Sequence, residues 1–162
     1  MSTERLRYRS VIAGFVVAGL LGGGIAQAAG STSTTRHPRV SSELTPSAQK
    51  YYELLWGVDK LGIKPVSSGA MLRFSYRVMD EHKAKVLNDK KAEPVLIDQK
   101  TGARLVVPKM EKIGSLRQSS TPEHGREYWV LFSNKGGLVK PGSRVDVVIG
   151  NFRASGMVVG PA

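Results

Sequence analysis

Few residues in this chain can exchange a proton near neutral pH. The sequence contains three histidines, His37, His82 and His124, and no cysteine. Imidazole is the side chain that ordinarily titrates in this range, so acid–base or metal chemistry would centre on a histidine and neighbouring carboxylates. The lack of cysteine excludes thiol nucleophiles, disulfides, iron–sulfur clusters and cysteine-ligated zinc.

The best-placed group of this kind surrounds a short predicted helical turn. Asp80, His82 and Asp89 combine carboxylate and imidazole groups, which suit a divalent ion. The two aspartates also have simpler roles, since Asp80 can cap a helix and Asp89 suits a turn. Because the spacing matches no established metal motif, we assign no metal, no cofactor and no catalytic residue from the sequence.

Motifs of nucleophilic and phosphate-binding enzymes are missing from the sequence. It has no Gly-x-Ser-x-Gly elbow, no phosphate loop and no His-Glu-x-x-His segment. The pair Gly136-Gly137 joins two predicted strands, so it lacks the strand-to-helix setting that a phosphate cradle requires. The sequence therefore gives no support for catalysis.

Positive charge is the strongest signal for binding. The chain has 24 Lys and Arg against 13 Asp and Glu, a net charge of +11. Basic residues concentrate in the last third, around a long predicted connection and the final turns. If these loops share one end of the fold, they form a cationic rim. The predicted ligand contacts are Arg117, Arg126, Lys135, Lys140 and Arg144.

One amphipathic helix is predicted where the folded region begins. Thr45 can cap it, Pro46 suits its first position and Gly62 suits a left-handed stop. Apolar residues recur between these points at steps of three and four, and this stripe is expected to pack on a sheet. Its members are Tyr51, Leu54, Leu55, Val58 and Leu61. Tyr52 and Trp56 would widen the stripe at its flank.

The rest of the chain has the pattern of short strands joined by turns. The predicted strands cover residues 70–79, 94–98, 103–107, 126–133, 144–149 and 152–159. A helical turn over 81–87 follows the Asp80 cap, Gly102 closes a hairpin, and residues 108–125 form a long surface connection. This order predicts a mainly β fold, a small antiparallel sandwich or barrel with one N-terminal helix. An α+β arrangement is the alternative.

The first residues predict an export segment. Arg5, Arg7 and Arg9 precede an apolar run from Val11 to Ala26. The tripeptide Ala26-Gln27-Ala28 has the small-x-small form that signal peptidase accepts. Cleavage after this tripeptide would release a periplasmic or secreted protein.

This cleavage would divide the chain into three parts. They are a signal peptide over 1–28, a flexible polar leader over 29–43 and a single β-rich domain over 44–162. Loss of three arginines and one glutamate with the first part lowers the net charge from +11 to +9. The alternative is an uncleaved anchor facing the periplasm, because Val11 to Ala29 is long enough to cross a bilayer core.

Three stretches of the mature chain carry a resemblance. The strings VMDEHKAKVLND, LIDQKTGARLVVP and GREYWVLFSNKGGLVKPGSRVDVVIGNFRA resemble exported bacterial proteins without an assigned function. The resemblance covers about Leu72 to Val159. It implies export and one compact domain, and it implies no activity, ligand or catalytic residue.

An exported basic protein meets anionic surfaces and acidic proteins rather than nucleic acid. The sequence therefore predicts a non-catalytic β-rich binding or accessory module. Its expected partner is an acidic envelope polymer, a lipid head group or a protein, and no nucleic acid is expected. The alternatives are an anchored accessory subunit of an envelope complex, or a metal-assisted envelope enzyme built on Asp80, His82 and Asp89.

Overall fold

A computed structural model describes residues 42–162 of the chain. The predicted signal peptide, the alternative anchor segment and almost all of the leader lie outside the described residues. Within residues 42–162, no helix combines the length and the apolarity needed to cross a bilayer. The fold is mainly β, with antiparallel sheets in an open, sandwich-like arrangement and one helix near the N-terminal region, which confirms the predicted class.

The described chain contains two α-helices and nine strands, numbered in chain order, and two three-residue 3-10 helices at Ser67–Gly69 and Lys135–Gly137. Helix α1 spans Pro46–Trp56 and helix α2 spans Glu81–Asn88. The strands β1 to β9 span Val58–Val66, Met71–Val78, Val95–Asp98, Arg104–Val106, Lys109–Met110, Gly114–Ser115, Glu127–Ser133, Arg144–Ile149 and Phe152–Val158. One sheet has the order β1-β2-β7, another has the order β4-β3-β8-β9, and β5 and β6 form a small hairpin.

The two larger sheets and helix α1 share one hydrophobic core. Fully buried and partly buried residues alternate along β2, β7 and β8, as expected for strands with one face turned inward. The Phe152 ring joins the layers, because its centroid lies 5.4 Å from that of Trp56, 6.1 Å from Tyr52 and 6.3 Å from Phe74. Aromatic contacts of this kind add to the stabilisation that burial provides.

Helix α1 is shorter than predicted and presents a different face to the core. Gly57, with a φ of 61°, ends the helix, and the predicted stop at Gly62 is wrong. Tyr52 is buried and Trp56 packs against the core. Three members of the predicted stripe are more than half exposed: Tyr51, Leu54 and Leu55. The last two members of the stripe, Val58 and Leu61, are core residues of β1, and their spacing from Leu54 and Leu55 imitates a helical repeat.

Strand β1 is absent from the sequence-based prediction. It pairs antiparallel with β2, with a register shift between Asp59 and Gly62. Lys60 adopts a φ of 50° within this irregularity. Such a bulge places an extra residue in one strand and interrupts the alternation of side chains. The interruption explains why the period-two pattern does not reveal this strand.

The predicted connection over residues 108–125 is ordered along the outer edge of β7. It contains the β5–β6 hairpin and then runs beside β7, with a bridge between Arg117 and Val130. The Gln118 amide donates to the carbonyl oxygen of Trp129 at 3.0 Å. The connection therefore covers an edge that would otherwise be open.

Candidate ligand-binding groove

A groove of about 640 Å³ lies where strand β4 approaches the end of β7. Val95 and Val106 face each other across the β3–β4 pair and line this groove. Their neighbours Leu96 and Leu105 are buried, so the two valines lie on the opposite, outer face of the sheet. The volume falls within the range of small-ligand sites.

The rim of the groove is strongly cationic. Lys90 and Lys91 come from the α2–β3 connection, Lys109 comes from β5, and Lys135 follows β7. Among the groove-lining residues that the structure describes, Glu93 is the single carboxylate. Its Oε1 lies 2.9 Å from the Nζ of Lys109. Because both partners are well exposed, this ion pair contributes little stability and can exchange for another anion.

Apolar side chains form the walls between these charges. The residues concerned are Pro94, Val95, Val106, Val107 and Pro108. Val106 is 58% exposed, so its side chain is accessible to a ligand in the groove. A groove with apolar walls and a cationic rim suits a ligand that combines negative charge with an apolar or extended frame.

Arg117 lies in the wall of the groove with its guanidinium already occupied. Its Nη1 donates to the carbonyl oxygen of Ala92 at 2.6 Å, and its Nη2 donates to that of Leu87 at 2.8 Å. The Nε is buried and has no hydrogen-bond partner among the described residues. Burial lowers the pKa of this guanidinium. Arg117 therefore acts mainly by holding the connection against the end of α2 and the segment that follows it.

A second set of buried hydrogen bonds fixes the same connection. The hydroxyl of Tyr76 donates to the Oδ1 of Asn88, and the Nδ2 of Asn88 donates to the carbonyl oxygen of Ser120 at 2.7 Å. The hydroxyl of Tyr128 donates to the carbonyl oxygen of Thr121 at 2.8 Å. Burial raises the pKa of Tyr76, so this hydroxyl stays protonated and keeps donating. The wall of the groove is therefore held in place before a ligand arrives.

The structure brings some of the five predicted contact residues together. Arg117 and Lys135 line the groove. Lys135 also borders a neighbouring depression of about 450 Å³, which Lys140 lines as well. These three residues therefore lie along one continuous stretch of surface.

The other two predicted residues lie elsewhere. Arg126 precedes β7, whereas Lys135 follows it, and a seven-residue strand is roughly 23 Å long. Arg126 contacts Glu123 at 2.6 Å, and its guanidinium lies 5.6 Å from the ring centre of Tyr128. Arg144 begins β8. A rim that joins all five residues at one end of the sandwich is not present.

Lys90 and Lys91 were not among the predicted contacts. Both lie in a turn between α2 and β3, far in sequence from the basic last third of the chain. Lys109 belongs to the basic last third of the chain, and it lies at the start of the two-residue strand β5. Side-chain charge was visible in the sequence, whereas the convergence of three separate segments on one groove depends on the fold.

The structure does not assemble the alternative metal site. Asp80 precedes α2 and accepts hydrogen bonds from the amides of His82 and Lys83 at 2.9 and 3.1 Å. The Lys83 amide, aided by that of His82, lowers the pKa of Asp80. Asp89 follows the last residue of the helix and accepts from the amide of Lys91. Within residues 42–162, no group of three potential ligands is close enough to hold a metal ion.

Comparison with known proteins gives no assignment for this chain. No protein-family model, no curated protein and no solved structure matches it. Its function is therefore inferred from the geometry and charge of the groove.

Proposed function

We propose that this chain is an exported, non-catalytic binding module that takes an acidic partner in the groove, in the periplasm or outside the cell. The observation that carries the proposal is the charge of the groove, where five cationic side chains surround a single carboxylate. Coulomb attraction in such a concave site raises the local concentration of anions and speeds their association. The N-terminal export pattern supports the proposed location.

Preorganisation of the groove favours a binding role over a merely soluble surface. The Arg117 guanidinium bonds the carbonyl oxygens of Leu87 and Ala92, and the amide of the adjacent Leu116 donates to the carbonyl oxygen of Pro108 at 3.0 Å. These bonds tie together separate segments that line the groove. A site that is ordered before binding loses less conformational entropy when the ligand arrives. Scattered surface lysines would not need such support.

Charge reversal in the groove tests this proposal. We expect the variant Lys90→Glu/Lys91→Glu/Lys135→Glu to bind fluorescently labelled polyglutamate at least about tenfold more weakly than the wild type. Three favourable charge interactions become repulsive in this variant. Fluorescence anisotropy over a range of salt concentrations measures the affinity, which should fall as salt rises.

A matched variant controls for net charge. The variant Lys64→Glu/Lys100→Glu/Arg153→Glu changes the same number of charges at exposed positions that do not line the groove. We expect its affinity to stay within about threefold of the wild type. Equal weakening in both variants, or no weakening in either, would overturn the assignment of the groove.

A further inference from the structure

The edges of the two larger sheets differ in how they are protected. Strand β1 carries Pro65 and a bulge, and the chain after β9 meets it through the amide of Gly160, which donates to the carbonyl oxygen of Ile63 at 2.8 Å. Residues 116–118 cover the edge of β7. Proline, bulges and covering segments are the usual means of preventing strand addition. Strand β9, at one end of the four-stranded sheet, contains a bulge. Strand β4, at the other end, has no proline, no bulge and no paired outer neighbour among the described residues; the next bonded group on this side is the carbonyl oxygen of Pro108, which accepts from the amide of Leu116.

The hydrogen-bond pattern shows which backbone groups of β4 face outward. The Asp98 amide donates to the carbonyl oxygen of Ala103 at 2.9 Å, so this pair is of the hydrogen-bonded type. Because the two types alternate in an antiparallel ladder, Leu105 is the next residue of β4 that bonds to β3. The N–H and C=O groups of Arg104 and Val106 therefore point away from β3. No hydrogen bond to these groups occurs within residues 42–162.

The open edge and the cationic groove are contiguous. Val106 belongs to both, since it lines the groove and presents one of the outward amides. Arg104 is exposed two residues earlier, on the same face of the sheet. An extended chain laid along β4 would therefore pass cationic groups on its outer face. Its other face would lie beside the buried side chain of Leu105.

We propose that the acidic partner is an extended peptide that adds to β4 as a further antiparallel strand. This inference rests on the proposed function and specifies its ligand. Strand addition uses main-chain hydrogen bonds for affinity and alternate side chains for specificity. Residues opposite Arg104 and Val106 would be acidic, and the residues between them would be apolar. The open amide edge favours a peptide over a polyanion without a peptide backbone.

Backbone methylation tests this geometry on the unmodified protein. The probe is the peptide Glu-Val-Glu-Val-Glu-Val, in which the glutamate amides would face β4. N-methylation of the three glutamate amides removes the paired donors without changing charge, and we expect at least about a tenfold loss of affinity. N-methylation of the valine amides, which would face away from β4, should change the affinity by less than about threefold.

A variant of β4 and a second probe complete the experiment. Val106→Pro removes one outward donor and spares the bonds to β3. It should weaken binding of the peptide at least about tenfold. Inorganic polyphosphate, the second probe, has no amide donors, and its binding is measured on the wild type and on the three-lysine charge reversal. If this variant does not fold, the affinities of the methylated peptides for the wild-type protein still test strand addition.

Each result separates the two proposals. Strand addition is overturned if the glutamate-methylated peptide binds as well as the unmodified one, or if both methylated peptides lose affinity equally. The proposed function survives that result if the three-lysine charge reversal still lowers the affinity for both the unmodified peptide and polyphosphate. If the wild type binds neither probe, both proposals fail.

Discussion

At the scale of single residues, Asn88 ties three parts of the fold together. It is 5% exposed and connects strand β2, helix α2 and the long connection through its side-chain amide. Polar groups that are buried in this way stabilise a fold when every partner is present, and they are costly when one is removed. Asn88 therefore helps to hold the connection that also carries Arg117, a residue that lines the groove.

Substitution of Asn88 should measure this dependence. We expect Asn88→Ala to lower the free energy of unfolding by about 2 kcal/mol, because the Tyr76 hydroxyl and the Ser120 carbonyl oxygen lose their partner in the protein interior. Urea denaturation gives the value. In a double-mutant cycle with Tyr76→Phe, the two losses should not add, since the substitutions remove the same hydrogen bond. Additive losses would contradict the network.

At the scale of elements, the junction between α1 and β1 requires a glycine for two reasons. Gly57 has a φ of 61°, and a Cβ at this position would come within 2.6 Å of the Cβ of Asp80. The amides of Met79 and Asp80 both donate to the carbonyl oxygen of Gly57. The turn therefore joins the end of α1 to the residues that start α2.

Two alanine substitutions separate the effect of contact from the effect of backbone strain. Gly57→Ala should lower the free energy of unfolding by at least about 3 kcal/mol, because strain and a close approach act together. Gly102→Ala, at a φ of 71° with no atom within 4 Å of the added Cβ, should cost about 1 kcal/mol. Thermal or urea unfolding compares them. Equal losses of unfolding free energy would show that the backbone shifts to relieve the contact between the added Cβ and Asp80 at no cost.

Local sequence signals predicted the elements that have regular patterns. The alternation of Leu72, Phe74, Tyr76 and Val78 marks β2, and Gly102 marks the β3–β4 hairpin, as the structure confirms. The Asp80 cap likewise marks the start of α2. Each of these signals depends only on residues within one turn or one strand, so the element can be predicted without knowing any tertiary contact.

The residue at which α1 ends could not be predicted from such local patterns. Val58 and Leu61 continue a helical spacing, and Gly57 and Gly62 are both plausible ends for a helix. The choice depends on Asp80, which approaches Gly57 from another part of the chain. The groove raises the same difficulty, because its lysines are brought together by sheet packing. Charge alone indicated a basic surface without showing where it is concentrated.

At the scale of the whole molecule, the central question is where the protein works. The intact mass and N-terminal sequence of the protein from a fractionated host should show a chain that begins at Ala29 in the soluble envelope fraction. This result is expected because Ala26-Gln27-Ala28 has the form of a cleavage site. A full-length chain in the membrane fraction would instead support the anchored subunit, with Val11 to Ala29 retained.

The order of strands also determines how the chain folds in time. Strand β2 pairs with β7, whose residues lie 50 to 62 positions later, and the amide of Gly160 bonds to the carbonyl oxygen of Ile63 near the opposite end of the described chain. Folds dominated by such distant contacts have a high contact order and form slowly, in milliseconds to seconds. The three-stranded sheet cannot be completed until Ser133 has been synthesised. A nascent chain therefore lacks the complete sheet through most of its synthesis, which suits the proposed export, because a narrow channel admits a chain that has not finished folding.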